Sequence, residues 1–170
     1  MRVRLQSATK FDAPSLVALR AAVNARMVSL FPGRVRPSGV TEKGVLFAMI
    51  RATVCVAKFR GQAVATLALS TRKPWAIDTA YFTPTSRPLY LTDMAVHPRL
   101  QRSGVGRQCI AQAVEIAKKW PATALRLDAY DADYGAGDFY RKCGFREVGR
   151  IVYRQVPLIY FEVLLPPSGN

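Results

Sequence analysis

Residues 89–108 read LYLTDMAVHPRLQRSGVGRQ, and the succession of residue types within them decides the architecture around them. Leu89–Val96 is an apolar run with strand character, Pro98 ends it, and from Val105 apolar residues recur at helical spacing through Cys109, Ala113, Ile116 and Trp120. The stretch therefore predicts a strand, a glycine-bearing turn at Gln101–Gly106, and a helix. Such a turn aims several unpaired backbone N–H groups at one point and adds the helix dipole to them, which makes an anion site. Gly104 and Gly106 let the backbone approach a ligand, while Arg102 and Arg107 add charge that complements a pyrophosphate. The spacing is not a Walker loop, which needs G-x-x-x-x-G-K. It is not the dinucleotide fingerprint either, because Cys109 stands where the third glycine would be.

Working outward, Val3, Leu5 and Ser7 alternate with polar residues and predict a first strand. Asp12 before Pro14 then caps a helix running to about Phe31. Thr41 is the expected N-cap of a second helix in TEKGVLFAMIRA, followed by strands over 53–59 and 63–70 joined through Arg60-Gly61-Gln62. Pro74, Pro84 and Pro88 mark residues 71–88 as a long loop or irregular edge. After the signature helix, stopped by Pro121, come a strand ALRLDAY (124–130) and a short helix in GAGDFYRKCG. Two further strands, EVGRIVY and LIYFEVLL, turn near Gln155–Pro157. This order predicts an α+β (mixed α/β) domain built on one sheet flanked by helices.

The chain has 170 residues, 50% of them hydrophobic, which is enough for one buried core, so residues 1–170 are expected to form a single domain. Its net charge of +14 comes from 25 Lys and Arg against 11 Asp and Glu, and residues 1–85 carry 13 basic and 3 acidic side chains. That balance suggests an anionic partner, but the basic residues are scattered singly and the aromatics do not interleave with them on one platform. The pattern argues against a nucleic-acid-binding protein while keeping it as a rival class. Cys55, Cys109 and Cys143 are odd in number and have no C-x-x-C spacing, so neither a disulfide framework nor a zinc site is implied. No apolar stretch is long enough to span a bilayer, and the first residues lack the core of a signal peptide. A soluble, cytoplasmic protein without a membrane partner is the expectation.

Two motifs together resemble a known family. Val96–Gln108 is similar to the acyl-CoA signature of the GNAT superfamily of N-acetyltransferases, Q/R-x-x-G-x-G/A, through Gln101, Gly104 and Gly106. Gly135–Phe145 is similar to that family's A-x-x-F-Y-x-x-x-G-F element through Ala136, Phe139, Tyr140, Gly144 and Phe145. The resemblance implies a GNAT-like fold: a central, mostly antiparallel sheet with a splayed parallel strand pair. It also implies transfer of an acetyl group from acetyl-CoA, without a metal, to a primary amine of a small molecule or peptide. A catalytically silent acyl-CoA-binding module remains the rival within the same fold.

The resemblance places the pyrophosphate on Gln101, Arg102, Ser103, Gly104, Val105 and Gly106, with Arg107 beside them, and pairs the pantetheine arm with the backbone of Met94, Ala95 and Val96. Asp133 stands where the family commonly has Asn and can only accept a hydrogen bond from that arm when ionised. Tyr140 falls on the tyrosine that protonates the departing thiolate. For the general base, Asp93 is the first candidate, on the strand face of Leu91 and Ala95; Asp78 and a water are the others. Trp75, Asp78 and Tyr81 are expected to line the acceptor pocket. His97, the one histidine, is expected to be structural, and the terminal strand LIYFEVLL could support a homodimer.

Overall fold

The strand, turn and helix expected of residues 89–108 are present as β4 (Pro88–Val96), a turn, and α3 (Val105–Lys119) in the computed structural model, which describes residues 1–166. Before them come β1 (Leu5–Ser7), α1 (Ala13–Leu30), α2 (Glu42–Arg51), β2 (Thr53–Phe59) and β3 (Gln62–Ser70). After them come β5 (Ala124–Tyr130), α4 (Gly137–Lys142), β6 (Arg146–Tyr153) and β7 (Val156–Leu164). The strands make a mixed seven-stranded sheet in the order β1-β2-β3-β4-β5-β7-β6, with β4 and β5 its parallel pair and helices flanking it. The parallel register joins Pro88, Leu89 and Tyr90 to Ala124, Leu125 and Arg126. The chain divides into two compact units, Met1–Leu69 with Asp93–Gln112, and Ser70–Thr92 with everything from Ala113 onward.

In the first unit, Ala13, Leu16 and Leu19 of α1 and Val45 of α2 pack with Val54, Val56, Ala63 and Ala68 of the β2–β3 hairpin. The hairpin turns at Arg60 and Gly61, both left-handed (φ 50° and 79°), as a two-residue loop matching strand twist requires. Thr41 caps α2 as expected, its hydroxyl accepting from the Gly44 N–H at 3.1 Å. Asp12 does not cap α1 with its side chain. Its backbone is already helical (φ −85°, ψ −12°), and the donor that a cap would take at Pro14 does not exist. The carboxylate turns back to accept the Thr9 N–H at 2.8 Å and to pair with Lys58. Burial opposes its ionisation, but Lys58 and Thr9 outweigh that and hold Asp12 below the ordinary carboxylate range.

One edge of β1 is occupied by β2, with Leu5 opposite Ala57. Side chains of α3 bond the strand's remaining backbone groups: Gln108 Oε1 accepts the Val3 N–H at 3.0 Å and Gln112 Oε1 the Leu5 N–H at 2.8 Å. Their amide nitrogens donate to Met1 O and Val3 O, both at 3.0 Å. Two glutamines four residues apart lie on one helix face, so a single helix reads consecutive N–H groups of an extended strand.

In the second unit β7 is paired on both sides, with Phe161 opposite Leu127 of β5 and Ile159 opposite Arg150 of β6. The LIYFEVLL strand is thus interior to the sheet. The β6–β7 turn is at Arg154 and Gln155 rather than Gln155–Pro157, and both residues are left-handed (φ 47° and 67°). Proline's ring cannot adopt that geometry, which is why Pro157 falls inside β7 instead. The expected loop over residues 71–87 is irregular but tied down. Buried Glu162 accepts from Thr83 N at 3.2 Å, Thr83 Oγ1 at 2.5 Å and Arg146 at 2.8 Å, while buried Arg126 donates to Thr83 O at 2.7 Å and stacks 4.9 Å over Phe82. Ile77 and Phe82 sink into a core with Tyr90 and Tyr160. Gly149 is required where it stands, because a Cβ there would come within 2.3 Å of the Tyr81 ring lying across it.

Candidate active site

The anion turn belongs wholly to the first unit. His97 donates its backbone N–H to Val64 O at 2.9 Å, and its Nδ1 accepts the Arg99 N–H at 3.3 Å, capping a single helical turn at Pro98–Leu100. Gln101 Nε2 reaches back to Val96 O at 3.1 Å, and Ser103 Oγ donates to Leu100 O at 2.6 Å, so side chains fix the turn before α3 begins. Arg102 and Gly104 are left-handed (φ 61° and 85°). Open space surrounds the Cβ that Gly104 lacks, so it is the backbone angle that requires glycine there. Val105 is fully buried and anchors the helix, while Gln101, Arg102, Ser103, Gly104 and Arg107 are exposed and Gly106 is half-buried. The result is a rigid, basic, solvent-facing helix N-terminus of a fifteen-residue helix.

Met94, Ala95 and Val96 are half-buried at the end of β4. Asp93, just before them, is left-handed (φ 57°), an unusual state for a non-glycine residue inside a strand. This irregularity breaks the alternation that would place Asp93 on one face with Leu91 and Ala95. Its side chain is 50% exposed and accepts from Arg20 Nη1 at 3.3 Å. The pair borders a cleft of about 210 Å³, otherwise lined by Leu16, Val40, Gly44, Val45, Ala48 and Val54.

The second unit holds the remaining candidates. Tyr140 of α4 is 6% exposed, its ring in contact geometry with Phe139 (5.2 Å), Phe145 (5.8 Å) and Phe161 (5.9 Å). Burial, with smaller contributions from Cys143 and Asp128, raises its pKa far above that of an ordinary phenol, so it stays protonated. Among the described residues no group hydrogen-bonds its hydroxyl. Asp133 is exposed in the turn that follows β5. Asp78 accepts the Ala80 N–H at 3.0 Å, capping a short turn at Thr79–Tyr81, and its own N–H donates to Tyr160 Oη at 3.0 Å. Tyr81 meets Tyr160 edge-on at 5.6 Å, and Trp75 is 91% exposed.

Sequence reasoning passed over Asp128. It is the carboxylate of the ALRLDAY strand, whose other residues are buried except Tyr130; it pairs across to Tyr160 and lines a cleft of about 590 Å³ with Pro74, Trp75, Ala76, Tyr153 and Arg154. Burial raises its pKa, only partly offset by its own backbone N–H, and its charge is felt by both Tyr140 and Tyr160. The available signal was an acidic residue within a strand whose other members are almost all buried, where an unanswered charge is costly. Cys55 and Cys109 are core residues whose thiols burial pushes up to about 11, so neither is an activated nucleophile. Among the described residues no three His, Cys, Asp or Glu side chains gather as for a metal, and no helix is long and apolar enough to cross a membrane.

The exposed basic turn between strand and helix stands where the resemblance to acyl-CoA-dependent acetyltransferases expects the pyrophosphate. Residues 27–145 match the Acetyltransferase (GNAT) family, and the chain belongs to it. Over 69 residues it is 35% identical to the aminoglycoside N(6')-acetyltransferase type 1 of Stenotrophomonas maltophilia, covering 41% of this chain and 45% of that protein. The chain therefore spans less than half the length of the curated relatives it matches. In structure it is similar to the ribosomal-protein-S18-alanine N-acetyltransferase of Escherichia coli (TM-score 0.72, 16% identity, 99% of this chain and 97% of that one). It is also similar to a Bacillus subtilis acetyltransferase in complex with CoA (TM-score 0.63, 16% identity, 96% and 99%). At these identities the two structures show the shared fold.

Proposed function

We propose that residues 1–170 act as one N-acetyltransferase, moving the acetyl group of acetyl-CoA to a primary amine by direct attack. The observation that carries this reading is the turn at Gln101–Gly106, whose left-handed Arg102 and Gly104 and exposed basic side chains fit a pyrophosphate at the N-terminus of α3. Backbone groups of Met94, Ala95 and Val96 hold the pantetheine arm and polarise the thioester carbonyl, and Asp133 accepts a hydrogen bond from the arm. No step calls for a metal.

Asp128, rather than Asp93 or Asp78, takes the proton from the acceptor ammonium. Asp93 pairs with Arg20 and Asp78 caps its own turn, whereas Asp128 lines the second-unit cleft without a cationic partner among the described residues, and burial raises its proton affinity, the direction that favours a base. The neutral nitrogen then bonds to the carbonyl carbon as the carbon–sulfur bond breaks. Tyr140 gives its proton to the leaving sulfur and regains one from the acylated nitrogen. The ammonium thus loses two protons, one to solvent through Asp128 and one to the thiol of free CoA through Tyr140. The test is thiol release from acetyl-CoA across a panel of amines: amine-dependent release supports the reading, and binding of acetyl-CoA without release from any amine defeats it.

A further inference from the structure

Several features of the second-unit cleft exceed what folding needs. Trp75 is 91% exposed, yet the backbone on either side of it is bonded: Lys73 Nζ donates to Pro74 O at 3.2 Å and to Ile77 O at 2.7 Å, and Tyr160 Oη donates to Ala76 O. A fixed loop thus displays the largest aromatic ring to solvent beside Pro74. Across the cleft, Arg154 occupies a left-handed turn position (φ 47°) that asparagine or glycine fills with less strain, so its side chain is retained against a local cost. Its guanidinium lies 5.3 Å from the centre of the Tyr153 ring, and no carboxylate among the described residues pairs with it. Stacked in this way, the guanidinium keeps its N–H edge available for an incoming anion.

We propose that the acceptor is a primary amine carried on a flat aromatic body that also bears a carboxylate, as in an aromatic α-amino acid, with Asp128 receiving the amine, Trp75 the ring and Arg154 the carboxylate. This rests on the acetyltransferase reading and narrows it. The cleft, about 590 Å³, is of the size that binds small molecules, and one acid, one cation and two aromatic rings are the complement of such a zwitterion. Charge points the same way. A chain of net charge +14, with Arg154 lining the cleft, repels polycationic acceptors and favours those that bring a negative group.

The experiment compares L-phenylalanine, L-phenylalaninamide, phenethylamine, L-alanine and kanamycin as acceptors by thiol release from acetyl-CoA, using the full chain and its Arg154→Gln and Trp75→Ala variants. L-phenylalanine should exceed the amide and the decarboxylated amine in kcat/KM by about tenfold or more. Arg154→Gln should abolish that advantage through KM while leaving phenethylamine unchanged, and Trp75→Ala should lower both aromatic acceptors. Equal or better turnover of phenethylamine or kanamycin overturns the proposal, as does a carboxylate preference that survives Arg154→Gln. A separate titration, following Trp75 fluorescence in a Trp120→Phe background with phenyllactate, which has no amine, reads the cleft without catalysis. Saturable binding lost in Arg154→Gln supports the site even if no amine is acetylated. Absent binding removes it even if acetyl transfer to some other amine is found.

Discussion

One cleft in each unit holds an aspartate, and the two aspartates are kept differently. In the first unit Asp93 is half-exposed and faces Arg20, so its charge is answered by a cation and by water. In the second unit Asp128 is largely withdrawn from water, no cation among the described residues pairs with it, and its affinity for a proton rises. The contrast teaches that a carboxylate's chemistry follows from what surrounds it rather than from how well its sequence position matches a motif.

The comparison breaks most readily at the level of rate. Asp128→Asn should lower kcat by about 10²–10³-fold, within the range of a lost general base, and Asp93→Asn by less than about tenfold. The reverse order would return the base to the first unit. Tyr140→Phe should reduce kcat on the order of 10²-fold with acetyl-CoA affinity nearly unchanged, since the phenol acts on sulfur only as it leaves. Glutamate at Arg102 and Arg107 should weaken CoA binding by about tenfold or more, without changing the affinity for pantetheine, which lacks the phosphates.

Linked protonation sharpens the contrast further, because two aspartates respond to pH with opposite signs. Asp12 is held below its ordinary value of 3.8, so it contributes stability above that pH and loses it as pH falls through the lower folded value. Asp128 is raised above 3.8, so the native state holds its proton longer than the unfolded chain, and stability declines as pH rises from there through the folded value. Thermal unfolding at neutral pH should therefore show Asp12→Asn destabilised, by about 1–3 kcal/mol, and Asp128→Asn more stable than the parent though slower in turnover. The acid limb of kcat/KM should lie above the ordinary carboxylate range and disappear in Asp128→Asn. The smallest effect is expected at the sheet edge, where Gln112→Leu should cost about 1–2 kcal/mol by leaving Leu5 N–H and Val3 O without their partners.

Much of this could be read before any coordinates. LYLTDMAV, the glycines after it and the periodic helix carry local signals that agree with one another, so β4, the turn and α3 fell where expected, as did β5 at ALRLDAY. What escaped depends on contacts distant in sequence. Asp12 looks like a helix cap until Lys58 and Thr9 claim it. Gln108 and Gln112 look like ordinary polar helix positions until β1 lies beside them. Asp128 was hidden because ALRLDAY also contains Arg126, whose charge is met by Glu162 from β7, and nothing local says which of two charged residues in one strand will be answered. The positive φ of Asp93 and of Arg154 was equally illegible: aspartate visits the left-handed region more than most residues, but its place inside an apolar strand run masks that, and arginine gives no such signal.

The glutamine clamp has a thermodynamic consequence. The helix that grips Val3 and Leu5 is the same one whose first turn we propose receives the pyrophosphate, so an occupied turn and a docked N-terminal strand would draw on one element of the first unit. Any ligand that binds the native form stabilises it by mass action, and local openings that undo its site are suppressed with it. Saturating CoA should therefore slow hydrogen exchange at the Val3 and Leu5 amides, far along the chain from Gly104 and Gly106, and substitution of Gln108 and Gln112 should uncouple that protection from cofactor.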